Sequence, residues 1–350
     1  MSERIKTGIV GFGLSGKVFH APFIHSHPGF QLSHVVERHH QRSKEIYPSV
    51  HVVKDYHELL EDQSLELIVI ATPNAFHFPM AEACLKAGKH VVIEKPFTPS
   101  SHEANKLISI SEKTGKEIFV YHNRRWDGDF LTIRKLLEQE VLGKVSQYEA
   151  HFDRYRPEIN TEAWREENIP GGGVLYDLGS HLIDQALVLF GKPQAIIADI
   201  RSERMGSRVD DSFLLEMLYP DMKAVLKAGM MVKEIQPRYR IEGSNGVFTK
   251  SGLDPQESRL KAGEMPVSAN FGKEDPEYWG SLEKSGDSGN PIVRIPTENG
   301  KYMAFYDNVH ASIRQNNAFP IKPVQARDVI FIIEKAFESS KKNQLIKFNN

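Results

Sequence analysis

Short apolar runs alternate with segments of helical pattern over the first third of the chain. The runs predict strands at Lys6–Gly11, Leu32–Glu37, His51–Val53, Leu67–Ala71, His90–Glu94 and Glu117–Tyr121. The segments between them predict helices over Gly16–Ser26, Gln41–Tyr47, Tyr56–Glu61, Phe78–Ala87 and Ser100–Thr114. Such alternation marks a parallel sheet covered by helices. Gly88 and Gly115 fall just past two of the helices, where a left-handed cap residue is wanted. "ELIVIATP" and "HVVIEKP" are unbroken apolar runs, which suits central strands buried on both faces. Each ends in a Pro-containing turn, so the polar residues beyond it gather at the carboxyl edge of the sheet. Open α/β sheets bind ligands along that edge.

The pattern changes after about residue 125. "VSQYEAHFDRYR", "QAIIADIRSER", "SFLLEMLYP" and "KAVLKAGMMVKE" read as longer strands with partial alternation, and "YRIEGSNGVFTKSG" as a hairpin about a Ser-Asn-Gly turn. Consecutive strands without crossover helices imply a largely antiparallel sheet. Residues 252–300, rich in Gly, Pro, Ser and charge, lack clear elements and read as a long functional or mobile segment. Helical patterns over Tyr302–Gln315 and Pro323–Lys341 close the chain. The expected architecture is α/β in two domains, 1–123 with a doubly wound parallel sheet and 124–350 with a large, mostly antiparallel open sheet.

Composition narrows the function without naming it. A length of 350 residues, 40% hydrophobic and 26% charged, belongs to ordinary globular chains. A net charge of -2 argues against a nucleic-acid or membrane partner held by bulk charge and leaves a small-molecule ligand open. The single cysteine, Cys84, forms no intrachain disulfide and reads as a buried small residue. No apolar run approaches the roughly 20 residues of a membrane span, and the N-terminus enters the first strand directly, so the expected compartment is the cytoplasm. The histidine pairs His25–His27 and His39–His40 lack companion ligands at metal-site spacing, so no metal is expected.

Gly11-Phe12-Gly13-Leu14-Ser15-Gly16 lies between a predicted strand and a predicted helix, the setting in which this spacing binds a dinucleotide. There Gly11 makes the tight turn, Gly13 lets the backbone approach a pyrophosphate, and Gly16 lets helix and strand pack closely. The helix N-terminus adds N–H groups for the phosphates. Glu37, at the end of the second strand, is placed to accept from adenosine ribose hydroxyls, which leans slightly to NAD. Arg38, His39, His40 and Arg42 follow at once, and an arginine there suits the 2′-phosphate of NADP.

"GFGLSGKVFHAPF", "ATPNAFH", "EKPF", "YHNRRWDGDF", "HFDRYRPE", "YDLGSHLIDQ" and "GSNGVFTKSGLDPQE" together resemble the Gfo/Idh/MocA family of nicotinamide-dependent oxidoreductases, and its subgroup that includes scyllo-inositol dehydrogenases. The resemblance implies an N-terminal Rossmann domain and a C-terminal α/β domain whose open sheet supports a homodimer or homotetramer. It also implies oxidation of a secondary alcohol on a polyol, inositol or sugar. Lys95 matches the lysine of the family's Glu-Lys-Pro motif, and Asp177 and His181 match its Asp-x-x-x-His. Thr72, Pro73, Asn74 and His77 match the turn that contacts the cofactor, and Glu94 and Pro96 flank the nicotinamide region. One departure stands out: NADP-using relatives often carry Ser-Arg where this chain has Glu37-Arg38.

Oxidising an alcohol removes a hydroxyl proton as hydride leaves for the nicotinamide, and histidine titrates nearest neutral pH. His181 follows Asp177 by four residues, so one helix places both on one face. Lys95, just past a buried strand, is expected to hydrogen-bond the reacting oxygen, with His181 beside it and Asp177 orienting. Asn123 and Arg125 are candidates for the nicotinamide or substrate hydroxyls, Tyr155 and Arg156 for the polyol, and Tyr278 and Trp279 for a lid. Trp126 reads as core or an interdomain wedge. Two alternatives share the fold: a non-catalytic sugar-binding regulator and a glycoside-cleaving enzyme that holds its cofactor tightly.

Overall fold

The computed structural model describes residues 4–285 and 292–348. The chain divides into two compact units, the first from residues 1–123, 256–271 and 301–328, the second from 124–255, 272–300 and 329–350. Among the described residues each unit holds one sheet.

The first sheet has six parallel strands: β1 (Ile5–Val10), β2 (Phe30–Val36), β3 (His51–Val53), β4 (Leu67–Ile70), β5 (His90–Ile93) and β6 (Ile118–Val120). Their spatial order is β3-β2-β1-β4-β5-β6, the doubly wound order of a Rossmann fold. The unbroken apolar run of β4 is explained by its place between β1 and β5, where Leu67, Ile68, Val69 and Ile70 are fully buried. The crossovers carry α1 (Ala21–Ser26), α2 (Arg42–Ile46), α3 (His57–Glu61), α4 (His77–Lys86) and α5 (Ser101–Thr114). Ser100 caps α5 by accepting the N–H of Glu103, and Gly115 ends it at φ +64°. The helix predicted over Gly16–Ser26 is two elements: a π-turn over Ser15–His20, then α1, whose second residue is Pro22.

In the second unit α6 (Gly128–Glu138) precedes β7 (Val145–His151), and α7 (Ser180–Phe190) precedes β8 (Ala195–Arg201), β9 (Ser212–Leu218), β10 (Lys223–Gly229), β11 (Tyr239–Gly243) and β12 (Gly246–Lys250). With β13 (Gly280–Lys284), β14 (Ile292–Ile295) and β15 (Ile346–Lys347) these form a nine-stranded sheet ordered β14-β13-β12-β11-β7-β10-β9-β8-β15. It is antiparallel except where β10 lies parallel to β7, so the sheet is mixed and mostly antiparallel. Alternation accounts for its two faces: Phe213, Leu215 and Met217 of β9 are buried while Leu214 is exposed. The predicted hairpin forms with Gly243 opposite Gly246 and Ser244-Asn245 as its loop.

The stretch 252–300, expected to lack clear elements, carries α8 (Gln256–Lys261) and the edge strands β13 and β14. The residues of β14 are exposed or half-buried, which removes the alternation that would have marked the strand. Residues 286–291 of that stretch lie outside the described residues. α8 and α9 (Met303–Gln315) belong to the first unit, although they follow the second unit's strands in sequence. α10 (Pro323–Lys342) runs from the first into the second.

Candidate functional site

The glycine turn follows β1 and explains all three glycines. Gly11 sits at φ +94°, where a Cβ would also stand 2.7 Å from the Ala71 carbonyl oxygen. A Cβ on Gly16 would collide with the Gly11 carbonyl oxygen, and it would also press on Ile9 of β1 at 3.4 Å. Gly13 is the opposite case: it is exposed and nothing lies within 4 Å of its Cβ position. Only that glycine keeps its space open outward, as a diphosphate requires. Phe12 meets Tyr47 edge-on at 6.5 Å, and Leu14 is 54% exposed.

Across the sheet edge, Asn74 is fully buried and neither Nδ2 nor Oδ1 has a protein partner. A buried primary amide with both ends unmet is costly unless a ligand supplies the partners. The residues therefore fit a dinucleotide. His77, expected at the cofactor, serves the turn instead. Its Nδ1 lies 2.9 Å from the Pro96 carbonyl and its Nε2 3.0 Å from that of Thr72. Burial lowers its pKa, so the ring is neutral and donates to one carbonyl at a time. It thereby ties the Thr72-Pro73 turn to the segment after Lys95; the Lys95–Pro96 peptide is cis.

Glu94 gathers several candidates. Its Oε1 accepts from the Ser15 hydroxyl and lies 3.0 Å from His20 Nε2, while Oε2 accepts the Lys95 backbone N–H at 3.0 Å. Burial pushes its pKa up, but the bonds from His20 and Ser15 and the nearby Lys95 charge outweigh it and hold the value at about 2. Lys95 is half-buried and Asn123 is buried.

At the end of β2, Glu37, expected at the adenosine ribose, is engaged with the chain that follows it. Its carboxylate accepts the backbone N–H groups of Arg42 (3.1 Å) and Ser43 (2.9 Å) and the Ser43 hydroxyl, capping α2. Arg38, His39, His40 and Arg42 are exposed beside it.

In the second unit, Asp177 lies in a π-turn over Leu175–Gly179 and His181 near the start of α7. The two do not share one regular α-helix, as four-residue spacing had implied. Asp177 Oδ1 is 3.1 Å from Arg165 Nε, and the guanidinium of Arg165 lies 4.9 Å over the Trp164 ring. His181 is 4% exposed, its ring 6.2 Å from that of Phe152. Asp210 sets where the π-turn begins, its carboxylate accepting the N–H of Leu175 at 2.7 Å. Arg125, expected at the nicotinamide, makes a buried bidentate pair with Asp184 of α7 at 2.8 and 2.7 Å. Tyr155 bridges Met231 and lies under Lys233 at 5.1 Å, and Arg156 and Tyr278 are exposed. Trp126 is half-buried. Sequence reasoning passed over His20, Trp164, Arg165 and Tyr306; the "WRE" run beside the Asp-x-x-x-His segment carried a signal for two of them.

A parallel sheet in 3-2-1-4-5-6 order, with a glycine turn open at Gly13, defines a nicotinamide-dinucleotide-binding protein. The comparisons agree. Residues 5–122 match the oxidoreductase family's NAD-binding Rossmann fold and residues 134–348 its C-terminal alpha/beta domain. The chain belongs to the Gfo/Idh/MocA oxidoreductase family. It is 40% identical over 344 residues to the scyllo-inositol 2-dehydrogenase (NADP(+)) IolW of Bacillus subtilis, covering 98% of this chain and 96% of that one. It is 39% identical over 341 residues to the uncharacterized oxidoreductase YdgJ of Escherichia coli, covering 97% and 98%. Among solved structures, yvaA of Bacillus subtilis superposes with a TM-score of 0.96 at 39% identity, covering 100% of this chain and 99% of that one. Among the described residues no helix is long and apolar enough to cross a membrane.

Proposed function

We propose that the chain is a dehydrogenase of a secondary alcohol on an inositol or related polyol, using NADP(H). The observations that carry the dinucleotide reading are the open Gly13 turn and the unmet amide of Asn74. The cofactor preference rests on Glu37, whose carboxylate is engaged at the start of α2, with Arg38 and Arg42 exposed beside it. The named activity of IolW, 40% identical, supports both substrate class and cofactor.

In this reading the turn Gly11–Gly16 holds the diphosphate, Arg38 meets the 2′-phosphate, and Thr72, Pro73 and Asn74 line the approach to the nicotinamide. When bound, the dinucleotide supplies the hydride acceptor for alcohol oxidation. Lys95 donates from its ammonium to the reacting oxygen, favouring loss of the hydroxyl proton. His181 takes that proton as general base. Asp177, paired with Arg165, orients a neighbouring hydroxyl. Exposed apolar side chains on one face of the second sheet, Ile197 and Leu214, support a homo-oligomer.

The test is a screen of inositols, sugars and sugar acids with NADP and NAD separately, compared by kcat/KM. An inositol oxidised more efficiently with NADP is the expected result. No turnover of any polyol with either cofactor would remove the reading.

A further inference from the structure

Ser15 and His20 bond to the same oxygen of one carboxylate, Oε1 of Glu94. In an α-helix, side chains five residues apart diverge by about 140°. The π-turn over Ser15–His20 narrows that divergence, because i→i+5 closure widens the turn and brings the sixth residue nearer the face of the first. The Ala21 N–H bonding to the Gly16 carbonyl shows the same five-residue step. The irregular turn after the glycines thus has a concrete effect: it brings both side chains to Glu94.

The chain of bonds continues. His20 Nδ1 lies 2.6 Å from the hydroxyl of Tyr306, on α9, and both residues are fully buried. Burial keeps the Tyr306 hydroxyl protonated, so it can donate to Nδ1 or accept from it, and Nε2–H donates to the Glu94 carboxylate. The second oxygen of Glu94 accepts the Lys95 backbone N–H, so one carboxylate joins the glycine turn to the start of the Lys95-Pro96 segment.

We propose that His20 and Tyr306 are positioning residues of the dinucleotide site, fixing the Glu94 carboxylate as a joint between the phosphate-binding turn and the backbone of Lys95. The inference rests on the dinucleotide reading above and adds two residues to it. Their ring volumes fill the core, but their polar atoms set the joint. Loss of those atoms loosens the turn and Lys95 together.

The experiment compares Tyr306→Phe, His20→Phe and His20→Gln with the unaltered chain by NADPH fluorescence titration, turnover and unliganded thermal melting. Tyr306→Phe keeps the ring and removes one hydroxyl; binding is expected to weaken about three- to tenfold with a similar fall in kcat. Its melting temperature should stay within a few degrees. His20→Phe should lose more than tenfold, and His20→Gln, which keeps a donor toward Glu94, should recover most of that loss. Unchanged binding and turnover in Tyr306→Phe would overturn the assignment, as would equal losses in the two His20 variants. Losses that track only a collapse of the unliganded fold would also overturn it. If the unaltered chain binds neither NADPH nor NADH, the dinucleotide reading falls and this inference with it. If the chain binds and the variants match it, only the positioning role falls.

Discussion

Glu37 accepts the backbone N–H of Ser43 at 2.9 Å, which ties its carboxylate to the start of α2. Drawing the carboxylate toward a ribose would leave the Arg42 and Ser43 N–H groups and the Ser43 hydroxyl without their acceptor. Arg38→Ala should therefore lower kcat/KM with NADP about 10- to 100-fold, the range of a charge-assisted bond, and leave NAD nearly unaffected. Glu37→Gln should change melting temperature more than the NADP-to-NAD ratio. A ratio unchanged by Arg38→Ala would rule out the 2′-phosphate role.

Gly13 and Gly16 should respond in opposite ways to the same added methyl. Gly16→Ala forces apart the Gly11 carbonyl and the turn after it, and is expected to cost about 3 kcal/mol of unfolding free energy. Gly13→Ala meets nothing within 4 Å, so the unliganded fold should melt almost normally while dinucleotide binding weakens. Denaturant unfolding and a fluorescence titration on both variants separate the two effects.

Asp210 makes stability depend on pH in the mildly acidic range. Burial raises its carboxyl from 3.8 to about 6, only partly offset by the Leu175 N–H. The folded chain then binds more protons than the unfolded chain between those values, so this group's contribution falls as pH rises from about 4 through 6. Asp210→Asn should abolish that fall, which the shift puts at about 3 kcal/mol at most, and make the chain more stable above pH ~7, read by unfolding at both ends of the range. A variant with an unaltered slope would contradict the account.

Cys84 is fully buried, and burial pushes its thiol up to about 12. Thiolate is the reactive form, so the native chain should resist a thiol reagent that labels it fully once unfolded. Rapid labelling of the native chain would show that α4 opens.

The parts of the fold that the sequence made legible are those fixed by local pattern. β4 and β5 read as central strands because burial on both faces demands an unbroken apolar run, and both strands are buried along nearly their whole length. The glycine turn was legible because its steric demands act within a few residues. The π-turn at Ser15–His20 was not, since its register answers to Glu94, 79 residues beyond Ser15. Tyr306 was further out of reach, 286 residues from the histidine it meets. The bonds of Glu37 were equally out of reach: its position suits a ribose, while its carboxylate also accepts from the start of the helix that follows. The parallel pairing of β10 with β7 likewise depends on topology, which alternation along a strand does not encode.

The central claim is that Lys95 serves the chemistry and not the grip on the dinucleotide. Its most direct test is Lys95→Met, assayed for NADPH affinity and for inositol turnover on the same preparation. The account predicts NADPH affinity within about threefold of the unaltered chain and kcat lowered at least about a thousandfold. Turnover within tenfold of the unaltered chain, with the dinucleotide still bound, would contradict it.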